Sequence, residues 1–492
     1  MNTLKYSIGL AALLSIAMGC KKELDVKNNN EPSAIEVYAT GDDVESVAST
    51  LFNNAYKSSH AYAGVYMFLA TSSDNTTCSW GNQSMRDMSW EPRNAWNNAP
   101  NYTYQGTTKT FFDGIYEVAV KATNIMNAIK RGVDMGDNEN MVKAFCKFGQ
   151  GVVYGNMALV FDKGFIEDEN ITNPNATPAT AATYKQVAAA AVAYLDTAIL
   201  LSATPFTIPK DWMGTAADLS NTDFIKLCNS MAARILANVP RNKTQLAEVD
   251  WAKVKAYADA GITGDFTIQM DGYTKWYAEA ADYLTSPGWG QTDMYVIHLM
   301  DPAQPQHWDD SPSFPWPAAS TNPPDKRLLS DFQYLSSTPL NPTRGYYHFS
   351  NYRASRYDAS FALGDGPIPE FMKAENDLYK AEARVYLNDL AGAATIINAG
   401  TRSTRGQLAD VAAVKEDLIQ AIHHERHVEL MNTGLGLSFF EMRKLNLLQK
   451  GTPLHWPLPA KTLETFRETL PFYTFGGVAN ADGTNTSNGG WR

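Results

Sequence analysis

Apolar positions recur along this chain at steps of three and four, and two long stretches break the rhythm. Phe111, Ile115, Val118, Ala122, Ile125 and Ile129 make one stripe, and Val142, Phe145, Gly149, Val152 and Leu159 a second. Tyr184, Val187, Ala191, Leu195 and Ala198 make a third, and Phe224, Leu227, Met231, Ile235 and Val239 a fourth. This spacing puts the apolar side chains on one face of a helix, and consecutive stripes of this length bury one another as antiparallel hairpins. Shorter patterns predict helices over 44–56, capped by Asp42 or Asp43, and over 251–260. The rhythm resumes with Phe371, Ala374, Leu378, Ala381 and Val385, followed by Ala391, Ala394 and Ile397. After a loop at 401–406, Val411, Val414, Leu418 and Ile422 predict a further helix. Gly434 and Gly436 end that pattern, and a short helix over 439–448 restarts it.

The aperiodic stretches cover about 71–105 and 261–369. The first is crowded with Asn, Ser, Trp and Pro. In the second, prolines at 302, 305, 312, 315, 317, 323 and 324 forbid long helices. The pattern therefore describes helical hairpins carrying two large loop insertions. Hairpins of this size resemble tetratricopeptide repeats, in which one pair cannot bury its apolar face alone, although the strict repeat consensus is absent.

The C-terminal helix carries Glu425-Arg426-His427-Val428-Glu429-Leu430. Gly434 follows, then Phe439-Phe440-Glu441-Met442-Arg443, then Trp456-Pro457-Leu458-Pro459. This order of elements resembles the C-terminal signature of the SusD/RagB family of outer-membrane lipoproteins. There, an E-R-x-x-E-L helix is followed by a glycine, an aromatic-basic helix and a P-I-P-like segment. Asn432-Thr433-Gly434 and Glu441-Met442-Arg443 depart from the usual residues, so the chain resembles a divergent branch. The run from Glu375 to Asp389 is similar to the family's late helix, and Asn124 to Ile129 to an early one. The resemblance implies an all-α fold: a right-handed stack of about four tetratricopeptide-like helix pairs with a long, loop-rich, aromatic-rich binding face. It also implies a SusC-like TonB-dependent transporter as partner.

The N-terminus fits that expectation. Lys5, an apolar run from Ile8 to Met18, and Gly19-Cys20 make a signal too short to span a bilayer, ending in a lipobox-like cysteine. Residues 1–19 are expected to be removed, with Cys20 acylated, residues 20–40 acting as a lipidated tether, and 41–492 forming one domain. Several acyl chains on one residue, at about 0.8 kcal/mol per buried methylene, anchor a protein stably to a membrane. The expected location is thus the outer membrane, lipid-anchored and exposed at the cell surface. The formal charge of −11 becomes −12 on loss of the one Lys in the signal, which argues against nucleic acid as a partner. Cys78, Cys146 and Cys228 are scattered and odd in number, so no disulfide framework is legible; the latter two are expected to be buried.

Seven of the eleven tryptophans fall in the aperiodic stretches: Trp80, Trp90 and Trp96 in the first, Trp276, Trp289, Trp308 and Trp316 in the second. Asn82, Asn94, Asn97, Asn98 and Asn101 interleave with the first group, and Asp293, Asp309 and Asp310 with the second. A flat indole matches the apolar face of a pyranose, and neighbouring polar groups can bond the hydroxyls. About half of these rings are expected to be packing residues beneath the loops. The preferred glycan contacts are Trp80, Trp96, Asn101, Trp289 and Trp308. The expected function is capture of oligo- or polysaccharide for the transporter. A peptide-capturing import lipoprotein of the RagB type is the alternative, and a surface lipoprotein without ligand a third reading.

Enzyme classes find little support. No Gly-x-Ser-x-Gly, phosphate-cradling loop or zinc cluster appears, and no motif marks a carboxylate pair. His423 and His427 have the one-turn spacing of a zincin, but the residue after His423 is His424 and the glutamate comes one later. The favoured reading is a packed, histidine-rich helix paired through Glu425, Arg426 and Glu429. No catalytic residue, metal or cofactor is expected.

Overall fold

The structure, a computed structural model, describes residues 34–77, 81–172, 175–306, 317–337, 350–477 and 482–487. The signal, Cys20 and most of the tether lie outside these residues. The longer helices are α1 (Gly41–Ala48), α2 (Leu51–His60), α3 (Gly106–Lys130), α4 (Glu139–Val160), α5 (Tyr184–Leu201) and α6 (Asn221–Asn238). They continue as α7 (Trp251–Asp259), α8 (Glu279–Thr285), α9 (Lys373–Tyr386), α10 (Leu390–Asn398), α11 (Lys415–Val428) and α12 (Leu437–Lys444). The stack runs in chain order, α2 on α3 through to α6 on α7; then α9 packs on α7 and carries α10 and α11. Each stripe read from the sequence faces its neighbour, giving a scaffold of tetratricopeptide-like helix pairs.

The packing of α4 on both α5 and α6 depends on bare backbone. A side chain at Gly151 would meet Leu195 Cγ of α5 at 2.6 Å, and one at Gly155 would meet Ile235 Cδ1 of α6 at 2.5 Å. Each glycine costs a helix about 1 kcal/mol against alanine, and here that cost is offset by interhelical packing. Caps set the helix starts. Thr183 and Gln186 form a reciprocal box ahead of α5, and Ser220 caps α6.

Three boundaries differ from the expected ones. The helix predicted over 44–56 is split into α1 and α2. At the break, the hydroxyls of Ser49 and Thr50 donate to the carbonyls of Ser46 and Val47 at 2.7 and 2.8 Å, competing with the helical ladder. Its cap is Thr40, with Asp43 as the reciprocal partner rather than the cap. The last long helix begins at Lys415, not at Val411. The Asn398 amide clamps both backbone groups of Val411 at 2.9 and 3.1 Å, and Val414 is extended.

The second aperiodic stretch is not structureless. It opens on β2 (Phe266–Asp271) and closes on β4 (Asp365–Phe371), which pair antiparallel with Ile268 opposite Ile368. Between them, β3 (Gln291–Thr292) pairs antiparallel with β1 (Thr76–Thr77) of the first stretch. The two insertions are thereby stitched together on one side of the scaffold.

The C-terminal signature is packing machinery. Fully buried Arg443 donates to the carbonyls of Leu159 and Asn238, both at 2.8 Å, and so satisfies the C-terminal ends of α4 and α6. Trp456 packs on Phe68 and Phe439 with ring centres 4.7 and 5.2 Å away. Arg426 is buried as expected, but Glu425 and Glu429 are not its partners. It pairs with Glu382 at 2.6 Å and with Glu441, and Lys444 joins both at 2.7 and 3.2 Å. Glu425 and Glu429 turn to another face of α11, where fully buried Arg327 meets them at 2.7 and 3.1 Å. Residues one apart on a helix point about 100° away from each other, so neighbours in sequence serve separate networks. Cys146 and Cys228 are buried free thiols, in α4 and α6.

Candidate functional site

Helix α8 sits inside the second insertion and has two unlike faces. Ala280, Ala281, Leu284 and Thr285 are buried, whereas Glu279, Asp282 and Tyr283 occupy the opposite, solvent-facing side. Tyr62, just past the end of α2, is tied to the start of this helix because its backbone N–H donates to Glu279 Oε2 at 2.7 Å. The Tyr62 and Tyr283 rings meet edge to face, centres 4.6 Å apart, and Trp289 lies 4.8 Å beyond Tyr283. The indole is 41 % exposed and both tyrosines are half-buried.

Asn82 comes from the first insertion and completes this surface. Its amide donates to the hydroxyls of Tyr283 at 2.7 Å and Tyr62 at 3.2 Å. A side chain at Gly81 would meet Arg86 Nη2 and the Tyr104 hydroxyl, both at 3.5 Å, so a guanidinium and a phenol border the same spot. Gln83 and Ser84 follow in the left-handed region at φ 49° and 64°. Two consecutive non-glycine residues there are uncommon, and such strain concentrates at ligand clamps. The Tyr102 hydroxyl secures the turn by bonding Ser84 Oγ at 3.2 Å and Asp87. The result is a three-ring platform rimmed by an amide, a carboxylate, a guanidinium and a phenol, with Tyr62 from just past the end of α2 and the rest from the two insertions that β1 and β3 hold together.

Of the residues singled out from the sequence, Trp289 is on this platform. Trp96 is a correction: only 1 % exposed, it packs against Phe68 and Tyr102 with centres 5.5 and 5.6 Å away, beneath the loop. Its backbone N–H donates to Phe475 O at 2.9 Å, which fixes the segment against the C-terminal strap. Asn101 is exposed on the loop that leads into α3. Trp80 and Trp308 lie outside the described residues, as do Trp316, Asp309 and Asp310. Trp276 is buried against Phe52 and Tyr56, and Trp90 is 37 % exposed. Of the four loop tryptophans described, two are therefore packing residues and two are open. Asp293 is buried as the cap of the helix Met294–Met300, its carboxyl pushed well above the usual range by burial and by Asp74. Tyr62 and Tyr283 carry no comparable signal in the sequence, since tyrosine is spread through the whole chain at 24 residues against eleven tryptophans.

The histidine-rich helix is spoken for. His424 bonds Asp325 at 2.8 Å; burial would raise that carboxyl, but His424 and Arg327 outweigh it and hold it well below the usual range. His423 bonds the Tyr295 hydroxyl. Burial and then His423 push His427 well below the ordinary imidazole value, which keeps it neutral. Among the described residues, no group of three or more His, Cys, Asp or Glu is placed to hold a metal.

No protein-family model and no curated protein matches this sequence. Solved structures do match its shape. A SusD superfamily protein from Bacteroides vulgatus ATCC 8482 shares 13 % identity at TM-score 0.57, over 87 % of this chain and 91 % of that one. A SusD-like protein from Bacteroides fragilis NCTC 9343 shares 12 % identity at TM-score 0.58, over 84 % and 88 %. Surface glycan-binding protein A from Bacteroides uniformis shares 13 % identity at TM-score 0.56, over 83 % and 91 %. The chain therefore has the fold of these SusD-like structures.

Proposed function

We propose that the protein binds glycans through the Tyr62–Tyr283–Trp289 platform and delivers them, from a lipid-anchored position on the outer membrane, to a SusC-like TonB-dependent transporter. The carrying observation is the platform itself: a 41 % exposed tryptophan whose ring packs at a 41° tilt against a tyrosine, with one amide bonding both tyrosine hydroxyls. Rings held in place by neighbours present a preformed apolar surface at little entropic cost. The polar rim matches a ligand with hydroxyls all round. Structural neighbours described as SusD-like carbohydrate binding protein and surface glycan-binding protein support the reading. Among the described residues no helix is long and apolar enough to cross a membrane, and the lipobox-like Cys20 is the anchor this proposal assigns.

The test is a glycan and peptide array on the soluble body, followed by calorimetric titration of the hits against Trp289→Ala. The variant should lose about 1–3 kcal/mol of glycan affinity, by analogy with bases stacked on aromatic rings, with its melting temperature almost unchanged. Binding of peptides and of no glycan would refute the reading in favour of peptide import. For the anchor, Cys20→Ala should leave the lipid fraction of the outer membrane; an acylated, membrane-bound variant would refute that part.

A further inference from the structure

Tyr273 is more open to solvent than Trp289, 58 % against 41 %. It stands at the tip of the turn after β2 with a φ of 67°, directly after Gly272 at the same φ. The Gly272 N–H donates to Gly364 O at 3.0 Å, and a side chain at Gly364 would collide with the Tyr273 ring at 2.6 Å. The ring thus lies over bare glycine backbone, which orients it without burying it. The Tyr277 ring meets it edge to face, centres 4.3 Å apart, and the Tyr277 hydroxyl bonds Asp282. A bulky aromatic in the left-handed region is an uncommon and strained choice. Burial of Tyr273 does not account for it, since more than half of the side chain faces water.

Asp282 connects this pair to the platform. It is the neighbour of Tyr283 on the solvent-facing side of α8, so the two aromatic groups flank one exposed helix face. Tyr277 lies just before the first turn and Tyr283 near the last. Glu279 to Tyr283 alone spans roughly 6 Å along the axis at about 1.5 Å per residue, comparable to one sugar ring, and Tyr277 precedes it. Glu279 and Asp282 give the face between them negative charge, which repels an anionic ligand.

We propose that Tyr273 and Tyr277 form a second aromatic subsite for the same ligand, so that the protein takes a neutral oligosaccharide lying along α8 rather than a single sugar. This rests on the glycan-binding reading and extends it to chain length. Malto-, cello-, xylo- and manno-oligosaccharides of two to six units are titrated into the parent protein, Tyr273→Ala and Trp289→Ala. In the parent, affinity should rise with length in the series that binds. Tyr273→Ala should lose about tenfold for the hexasaccharide, the scale of one stacked ring, while the shortest binding member is unaffected. Trp289→Ala should weaken every length. Tyr273→Ala binding the hexasaccharide like the parent, or losing equally at every length, would overturn the second subsite, with the platform left standing if Trp289→Ala is weakened. A parent that binds none of these sugars, or is indifferent to Trp289→Ala, would overturn both. Because Tyr273 is exposed, an unchanged melting temperature in Tyr273→Ala separates loss of contact from loss of fold.

Discussion

Replacing Arg426 by Met keeps most of the side-chain volume and removes a charge from a sealed compartment. Arg426 and Lys444 there balance Glu382 and Glu441, and all four side chains are at most 4 % exposed. Without the guanidinium, two buried carboxylates face one ammonium, leaving a net negative charge that water cannot reach. Breaking a buried pair in this way costs about 3–5 kcal/mol, against about 0–1 for an exposed one. The deficit carries a pH signature. In the parent, burial would raise the Glu441 carboxyl, but Arg426 and Lys444 outweigh it and hold it well below the usual range. Its stabilising contribution is therefore present above the ordinary carboxylate value and lost as pH falls through the depressed one. In Arg426→Met burial regains the upper hand, so a carboxyl takes up its proton at higher pH and relieves the strain. The difference between variant and parent should be largest near pH 7–8 and shrink toward about pH 5. Adding Glu382→Gln should recover part of the loss, because Lys444 and Glu441, 3.2 Å apart, then balance again. Denaturant titrations of parent, single and double variants at several pH values measure all three effects. A single variant within about 1 kcal/mol of the parent at pH 7, or a double variant that is simply the sum of its parts, would refute the reasoning.

Trp96→Ala should cost about 3–5 kcal/mol of stability through the cavity left beneath the loop, seen as a lowered denaturation midpoint. Glycan affinity of the protein that remains folded should match the parent, and lost affinity with unchanged stability would return Trp96 to the ligand surface. Asp162 is pushed up to about 7 by burial, against the opposing pull of Lys163 and of the Tyr473 hydroxyl 3.1 Å away. A raised carboxyl withdraws stability as pH climbs from about 4 to about 7. Asp162→Asn should therefore be more stable than the parent at pH 8 and indistinguishable from it near pH 4; equal unfolding curves at pH 8 would contradict this.

The helical scaffold was readable because each stripe is local. Phe111 to Ile129 and Phe224 to Val239 repeat every three or four residues, and the 3.6-residue turn converts that repeat into a face without reference to the rest of the chain. The C-terminal order of Glu425-Arg426, Gly434, Arg443 and Trp456 was readable for the same reason, as a string of neighbours. What the string did not carry was partnership. Arg426 reaches Glu382 and Glu441 rather than Glu425 or Glu429, and Arg443 satisfies carbonyls in helices that begin some three hundred and two hundred residues earlier. These pairings are set by which helix faces meet.

The candidate site shows the same division. That the aperiodic stretches hold aromatic and amide side chains, Trp289 among them, is plain from composition. That Trp96 is sealed under its loop while Trp289 is open depends on what lies above each ring, and no local pattern encodes cover. Tyr62, Asn82 and Tyr283 become one surface only because the two-residue strands β1 and β3 pair across about two hundred residues and the Tyr62 amide docks on Glu279. A helix is determined by residues three and four apart, so the sequence alone determined the scaffold. A binding surface assembled from loops is determined by contacts between distant segments, whose geometry exists only once the scaffold has brought them together.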